Sequence, residues 1–147
     1  MMEVLKKGVL PAILFSVFIG LVYQSTLSDN QSVESNDLGL KIEVADSVSE
    51  RKKGLSGRES IANDEGLVLV FDEEDYHGIW MKEMNFSIDI IWINQDKKVV
   101  DYRLSVVPET YPEIFLPGKP AKYVLEVKSG FVEQEKIEIG DKLDFLN

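Results

Sequence analysis

Several charged residues of this chain lie within or beside apolar segments, where an unpaired charge costs free energy. Asp89 is flanked by two isoleucines, and Glu126 is flanked by a leucine and a valine. Lys82 lies two positions after Trp80, so a strand would place both side chains on one face. With two arginines added, the predicted polar pocket consists of Arg51, Arg58, Trp80, Lys82, Asp89 and Glu126.

These residue types are suited to binding and to acid–base chemistry. Arginine side chains bind a carboxylate, a phosphate or sugar hydroxyls through paired N–H groups. A carboxylate with a raised pKa can act as a general acid or base. Asp89 and Glu126 together would supply the two carboxylates that glycosidases use. The alternative is that the charges pair with one another and fix the register of the strands, or face the solvent.

Other kinds of catalytic or metal site lack the residues that they require. The chain has no cysteine, which excludes disulfides, thiolate zinc sites and a cysteine nucleophile. Its one histidine, His77, follows an acidic run and is expected in a surface loop. No Gly-x-Ser-x-Gly motif, glycine-rich phosphate loop or dinucleotide fingerprint is present. We therefore assign no catalytic residue, no metal and no cofactor, and the sequence favours a non-enzymatic role.

Apolar runs of strand length predict the elements that would hold this pocket. Seven such runs cover residues 38–45, 67–71, 77–82, 86–93, 98–107, 121–128 and 142–146. The runs over 77–82 and 86–93 contain both tryptophans and are expected to form the central pair of strands. The predicted fold is mainly β, a compact barrel or sandwich of about seven short strands with one or two short helices.

Polar signals between the runs predict the helices and loops. Ser47 and Glu50 have the spacing of a capping box, which predicts a short helix through about Leu55. Residues 131–136 are expected to form a helical turn. The acidic run over 72–75 lacks the spacing of a calcium loop and is expected at a solvated loop tip. Residues 108–120 contain four of the five prolines and predict a long loop.

The N-terminal residues predict where the protein resides. Lys6 and Lys7 precede an uncharged apolar run over 8–23, which would cover roughly 24 Å as a helix. The uncharged stretch continues to Leu27 and the lysines can snorkel, so a membrane span is feasible. We predict a signal-anchor over 1–23, a flexible polar tether over 24–37 and a β domain over 38–147.

The lysines before this run orient the predicted anchor. Positive charge stays on the cytoplasmic side, so the protein would cross the cell membrane once with its C-terminal domain outside the cytoplasm. Cleavage of the segment as a signal peptide would instead give a secreted or periplasmic domain. The formal net charge of −10 repels nucleic acid and anionic lipid headgroups, so we predict no nucleic-acid partner.

Motifs spread along the chain resemble a known family. In order, they are Arg51-x-x-Gly54-Leu55-x-x-Arg58, Gly66 with Phe71, Trp80-Met81-Lys82, Ile88-Asp89-Ile90, Ala121-Lys122-Tyr123-Val124-Leu125-Glu126 and Gly140-Asp141. Over about residues 38–146 the chain is similar to domain-of-unknown-function family 192. The resemblance implies a compact, mainly β domain, often behind a signal or anchor segment, with no firmly assigned activity. Where the family usually has Asn-Thr after the Trp-Met-Lys motif, this chain has Glu83-Met84, which adds a carboxylate beside Lys82.

The leading functional prediction is a membrane-tethered, extracytoplasmic binding or accessory module without catalytic activity. Its partner would be a small polar ligand, an envelope polymer or a membrane protein. Two alternatives remain open at this point. One is an envelope-directed hydrolase or lyase that uses Asp89 and Glu126, with Lys82 or Arg58. The other is a structural partner of another membrane protein, contacted through the anchor helix or the loop over 108–120.

Overall fold

The computed structural model describes residues 38–145, in which one mixed sheet of five strands has the order β1-β2-β5-β3-β4. The strands are β1 (Lys41–Ala45), β2 (Glu65–Asp75), β3 (Ile88–Ile93), β4 (Val99–Val106) and β5 (Ala121–Lys128). Two short helices are α1 (Val48–Lys53) and α2 (Phe131–Gln134), and residues Pro108–Thr110 form a 3-10 turn. β1 and β2 run parallel, and the remaining neighbours are antiparallel.

The prediction of a mainly β domain with one or two short helices is confirmed, but the described residues form a single sheet rather than the predicted barrel or sandwich. The described sheet is open, because β1 and β4 each pair with one neighbour and form its two edges. Within residues 38–145 there are five strands rather than about seven. Residues 142–146 were expected to form a strand, but the described part of this segment contributes only an isolated bridge between Lys98 and Lys142.

Residues 77–82, the first half of the expected central strand pair, form no strand. Ile79 makes an isolated bridge to Phe115 of the proline-rich segment, and its backbone exchanges hydrogen bonds of 3.0 and 2.8 Å with that residue. Glu83 then adopts a φ of 56°, and the Met84 amide donates to the Met81 carbonyl, so the chain turns. The turn interrupts the pleat that a hairpin would need. β3 therefore pairs with β4 and β5 instead.

The acidic run over 72–75 also differs from the expectation of a loop tip. It forms the last part of β2, with all four side chains exposed. The pairing of β2 with β5 shifts register between Val70 and Asp75, and Asp75 then opposes Ala121. The strand continues because its backbone still pairs while its charged side chains remain in water.

The two faces of the sheet are buried by different segments. On the first face, Leu67, Ile90 and Trp92 pack against residues such as Leu55 and Ile79 from the segments after α1 and after β2. On the second face, the sheet packs against α2 and the C-terminal segment; its buried residues include Val68, Ile91, Leu125, Val127, Phe131 and Leu143. β3 is buried along its whole length because it lies between β5 and β4 and is covered on both faces.

The capping box that predicted α1 is present. The Ser47 hydroxyl accepts a hydrogen bond from the Glu50 amide at 3.2 Å, and the Glu50 carboxylate accepts one from the Ser47 amide at 3.0 Å. The helix ends at Gly54, which has a φ of 50° and a ψ of −132°. None of the six helical residues is buried, so caps and the following segment hold the helix in place.

The predicted anchor over 1–23 and the tether over 24–37 lie outside the described residues. Within 38–145, no helix is long and apolar enough to cross a membrane. The proposed division into anchor, tether and β domain therefore stays a prediction.

Candidate functional site

A cleft of about 330 Å³ opens on the first face of the sheet, where α1 ends. We call it the Glu126 cleft, after the acidic side chain at its base. It is lined by Val48, Arg51, Lys52, Lys53, Gly54, Leu55, Ser56, Leu69, Phe71, Gly78, Ile79, Trp80, Met84 and Glu126. The end of α1, strands β2 and β5, and the turn segment after β2 therefore all contribute to it.

The strand register places Glu126 at the base of this cleft. Glu126 stands opposite Leu67 of β2 on one side and Ile90 of β3 on the other, so its carboxyl emerges from an apolar surface. The residue is 5% exposed, and its Oε2 atom has no hydrogen-bond partner within the described residues. Burial raises the pKa of Glu126 to about 7, although the charge of Arg58 acts to lower it. The carboxyl is thus neutral in a large fraction of molecules at neutral pH.

Gly54 forms the wall of the cleft next to this carboxyl. A Cβ atom on residue 54 would lie 3.3 Å from Oε2 of Glu126 and 3.7 Å from Oε1. The positive φ of Gly54 also favours glycine, because a side chain there would clash with the backbone. The absence of a Cβ atom and the tolerance of a positive φ therefore allow α1 to end directly over Glu126.

A cationic wall is formed by the last turn of α1. Lys52 and Lys53 are exposed, and Arg51 is half-buried. The Arg51 guanidinium lies 5.1 Å from the ring centre of Phe71, and its Nη1 donates to the Val70 carbonyl at 2.9 Å and to the Asp46 carbonyl. Arg51 is therefore fixed against β2, whereas the two lysines line the cleft as exposed side chains.

The opposite wall is apolar and aromatic. Ile79 is buried, while Trp80 is 37% exposed at the rim. The ring of Tyr111 meets Trp80 edge-on at 6.1 Å, and Lys82 Nζ lies 5.9 Å from the Trp80 ring centre. Below the rim, Phe71 stacks on His77 with ring centres 3.5 Å apart. His77 lies in a loop as expected, but its ring is packed on Phe71, and its carbonyl accepts a hydrogen bond from the buried Trp92.

The six residues of the predicted pocket are only partly brought together. Arg51, Trp80 and Glu126 line the cleft, and Lys82 lies beside it, 3.9 Å from the Glu83 carboxylate. Arg58 lies nearer the β1 edge, where its Nη2 binds both carboxylate oxygens of Glu43 at 2.8 Å. It contributes charge to Glu126 without lining the cleft.

Asp89 lies on the other face of the sheet. It pairs with Val127, one residue beyond Glu126, and side chains of successive strand residues point to opposite faces. Its Oδ1 accepts from the Ser105 amide at 2.8 Å, and its Oδ2 accepts from the amides of Gly130 and Val132 at 3.1 and 3.0 Å. The fully buried carboxylate therefore joins β3 to β4 and to the start of α2.

Several lining residues were not found from the sequence. Lys52, Lys53 and Gly54 form a basic run that ends in a glycine directly after the capping box, a pattern that marks the end of a helix but does not by itself indicate a cleft. The sequence assigns Phe71 only to a strand, and it singles out Met84 only as a position where the chain differs from the family motif. Among residues 38–145, no group of three or more His, Asp and Glu side chains is arranged to hold a metal ion.

Comparisons with known proteins give one consistent relationship. The model of a family described as DUF192, "Uncharacterized ACR", matches residues 30–145. The UPF0127 protein of Pyrococcus furiosus is 29% identical over 119 residues, which cover 76% of this chain and 92% of that protein. A UPF0127 protein of Pyrococcus abyssi is 32% identical over 112 residues, which cover 72% of this chain and 86% of that protein.

Two solved structures share the fold. One, described as a putative transcription regulator from Sinorhizobium meliloti, has a TM-score of 0.68 at 30% identity and covers 71% of this chain and 81% of its own. The other, described as a protein of unknown function from Novosphingobium aromaticivorans, has a TM-score of 0.68 at 26% identity. It covers 72% of this chain and 75% of its own.

Proposed function

This chain belongs to the DUF192 family of uncharacterised proteins, and we propose that it is a non-catalytic binding module that takes a small polar ligand into the Glu126 cleft. The ligand would lie between the cationic end of α1 and the aromatic rim, with a polar group against the Glu126 carboxyl.

One observation carries this proposal: Oε2 of Glu126 is buried at the base of an open cleft without a hydrogen-bond partner among the described residues. Leaving a buried polar atom unsatisfied costs ~1–3 kcal/mol. An apolar residue at this position would avoid that cost, since both neighbours across the strands are apolar. A ligand with a polar group that reaches the carboxyl would hydrogen-bond to it, which gives the buried group a use.

Binding is favoured over a two-carboxylate hydrolase by the placement of the acids. Such a reaction needs both carboxyl groups in one substrate pocket, where they flank the scissile bond about 5–9.5 Å apart. Asp89 is on the opposite face with both oxygens occupied by backbone amides. Within residues 38–145, Glu126 is the only carboxyl that lines the cleft, so this part of the chain offers the cleft a single acidic group.

A structural role remains the second candidate, because the proline-rich segment presents apolar side chains to solvent. Ile114 and Leu116 are exposed, and both lie against Gly78 next to Trp80. A membrane-protein partner would cover this surface. Substituting both residues with serine should abolish co-purification of such a partner and leave small-ligand binding in the cleft intact, which separates the two candidates.

The binding proposal is tested by nuclear magnetic resonance on the full chain with labelled isoleucine and methionine methyl groups. Ile79 and Met84 line the cleft, and Ile91 and Ile93 lie on the other face and serve as internal controls. In a screen of small polar compounds, binding should shift the first pair saturably and leave the second pair unchanged. The shifts should disappear in Glu126→Leu while the control signals persist. A chemically diverse screen with no saturable shift at Ile79 or Met84 would contradict the proposal.

We also propose that the domain is held outside the cytoplasm at the cell membrane. The support is the sequence: two lysines, then an uncharged apolar run and a polar tether. Protease added to spheroplasts should digest the domain, and alkaline carbonate should leave the full chain in the membrane fraction. Protection that ends only on lysis would reject the orientation. Release of an N-terminally shortened chain into the medium or periplasm would indicate signal cleavage.

A further inference from the structure

The charge of the Glu126 cleft is opposite to that of the protein as a whole. The chain has a formal net charge of −10, whereas the cleft is lined by Arg51, Lys52 and Lys53 and by a single acidic residue. The carbonyl groups at the end of α1 contribute at most about half a negative charge. Three full positive charges outweigh them, so the cleft attracts anions and repels cations.

The chemistry of the opposite wall limits what the anion can be. Ile79 and Trp80 offer apolar and aromatic surface in the same cleft as the lysines, and Leu69, Met84 and Phe71, whose ring Arg51 contacts, extend it. An inorganic anion would leave this surface exposed to water. An organic anion with a flat or apolar body would cover this surface. Its binding would gain roughly 25 cal/mol of favourable free energy for each Å² of apolar surface removed from water.

We propose that the ligand of the Glu126 cleft is a small organic anion with an aromatic or apolar body, bound with its charged group at Lys52 and Lys53 and its body against Trp80, Ile79 and Phe71. This inference rests on the proposed binding function and names its ligand class. The opposite end of the ligand carries a hydrogen-bonding group that faces the Glu126 carboxyl. The volume of about 330 Å³ accommodates a molecule of one or two rings.

The probes that test this class vary the charge on a naphthalene body and the presence of that body. 2-Naphthalenesulfonate carries a charge that does not titrate between pH 5 and 9, and 2-naphthalenesulfonamide is its neutral counterpart. 2-Naphthylmethylammonium supplies a cation on the same body, and inorganic sulfate supplies an anion without a body. Each is titrated into the full chain in zwitterionic nanodiscs, with the methyl signals of Ile79 and Met84 as the readout.

The sulfonate should bind saturably and roughly tenfold more tightly than the sulfonamide, because two lysines contact its charge. The ammonium and sulfate probes should bind more weakly than both. Lys52→Gln combined with Lys53→Gln should remove the preference for the sulfonate and leave the sulfonamide affinity unchanged. The matched control is Lys98→Gln with Lys142→Gln, which removes the same charge from exposed lysines outside the cleft and should leave the preference intact.

The outcomes separate this inference from the proposal on which it rests. If the sulfonamide or the ammonium probe binds at Ile79 and Met84 as tightly as the sulfonate, the ligand class is wrong while the binding module stands. If none of the four probes nor any compound in the polar screen shifts these signals, both are wrong. A preference for the sulfonate that survives the cleft lysine substitutions would also overturn the assignment.

Discussion

Gly54, at the end of α1, lies directly against the carboxyl of Glu126 in β5, where a methyl group at position 54 would press on the carboxyl. A Cβ at position 54 would lie 3.3 Å from Oε2 of Glu126, closer than most contacts of that kind. Residues 72 positions apart in the sequence thus build one wall of the cleft. This contact links the stability of the helix end to the chemistry at the base of the site.

The first prediction concerns the pH dependence of stability. The pKa of Glu126 is about 7 in the folded protein, against an ordinary value of 4.5. Stability from this group is therefore fully present below pH 4.5 and is lost as pH rises through 7. The gap corresponds to roughly 3 kcal/mol. Urea denaturation should show the free energy of unfolding of the wild type falling by about this amount relative to Glu126→Gln between pH 4.5 and 8. Glu59→Gln, at an exposed position, should show no such change, and equal pH profiles for wild type and Glu126→Gln would contradict the assignment.

The second prediction tests the contact between Gly54 and Glu126. Gly54→Ala combines a strained φ with pressure on the carboxyl, and it should lower the free energy of unfolding by ~1–3 kcal/mol. In a Glu126→Ala background the same substitution should lower the free energy of unfolding by less, since there is no carboxyl for the new methyl group to press on. Gly57→Ala, also at positive φ but with no atom within 4 Å of its Cβ, is the control and should not couple to Glu126. Additive effects of Gly54→Ala and Glu126→Ala would show that the contact has no energetic weight.

The third prediction separates Asp89 from the cleft. Asp89→Asn replaces an acceptor of three backbone hydrogen bonds, so the free energy of unfolding should fall by ~1.5–3 kcal/mol or more. Because Asp89 lies on the second face, the affinity for 2-naphthalenesulfonate should not change under conditions where the variant is folded. Loss of binding with Ile91 and Ile93 signals unchanged would show that Asp89 belongs to the site after all.

The fourth prediction concerns the proline-rich segment, whose Tyr111 contacts Trp80 at the rim of the cleft. Asp101 accepts hydrogen bonds from the Gly118 amide at 2.7 Å and from Arg103 at 2.8 Å, and Arg103 also donates to the Leu116 carbonyl at 3.1 Å. Burial acts to raise the pKa of Asp101, but these hydrogen bonds outweigh it and the pKa is lowered. Asp101→Ala should therefore speed hydrogen exchange at the Gly118 amide several-fold. Glu109→Ala, at an exposed position in the same segment, should leave that rate unchanged. If the Gly118 amide keeps its protection in Asp101→Ala, the hydrogen bond to Asp101 does not hold this segment in place.

The sequence was sufficient to predict elements whose signals are local. The capping box of α1 and the limits of β5 are as expected, because side-chain spacing alone specifies a cap and a strand. The same reasoning identified Glu126 as a charge within an apolar strand. It gave no means of telling that Asp89 and Glu126 face opposite sides, since that depends on Ile90 rather than Asp89 lying opposite Glu126.

The remaining differences also arise from long-range contacts. Trp80 and Lys82 lie in a turn segment because Ile79 pairs with Phe115, a partner 36 positions away. The single open sheet follows from the pairing of β5 between β2 and β3, which no local pattern specifies. Lys52 and Lys53 gave no signal of their own because exposed lysines at the end of a helix are common, and only the cleft beside them gives them a role.

The buried Glu126 carboxyl and the cleft around it are tested most directly by nuclear magnetic resonance. The side-chain carboxyl carbon of Glu126 is titrated in the free chain and with 2-naphthalenesulfonate. A midpoint near pH 7 is expected in the free protein, because burial at the base of the cleft disfavours the carboxylate. The bound sulfonate adds negative charge to the same cleft, so the midpoint should move to higher pH. A midpoint near the ordinary value of 4.5 that does not move with the probe would contradict both the buried carboxyl and the site built around it.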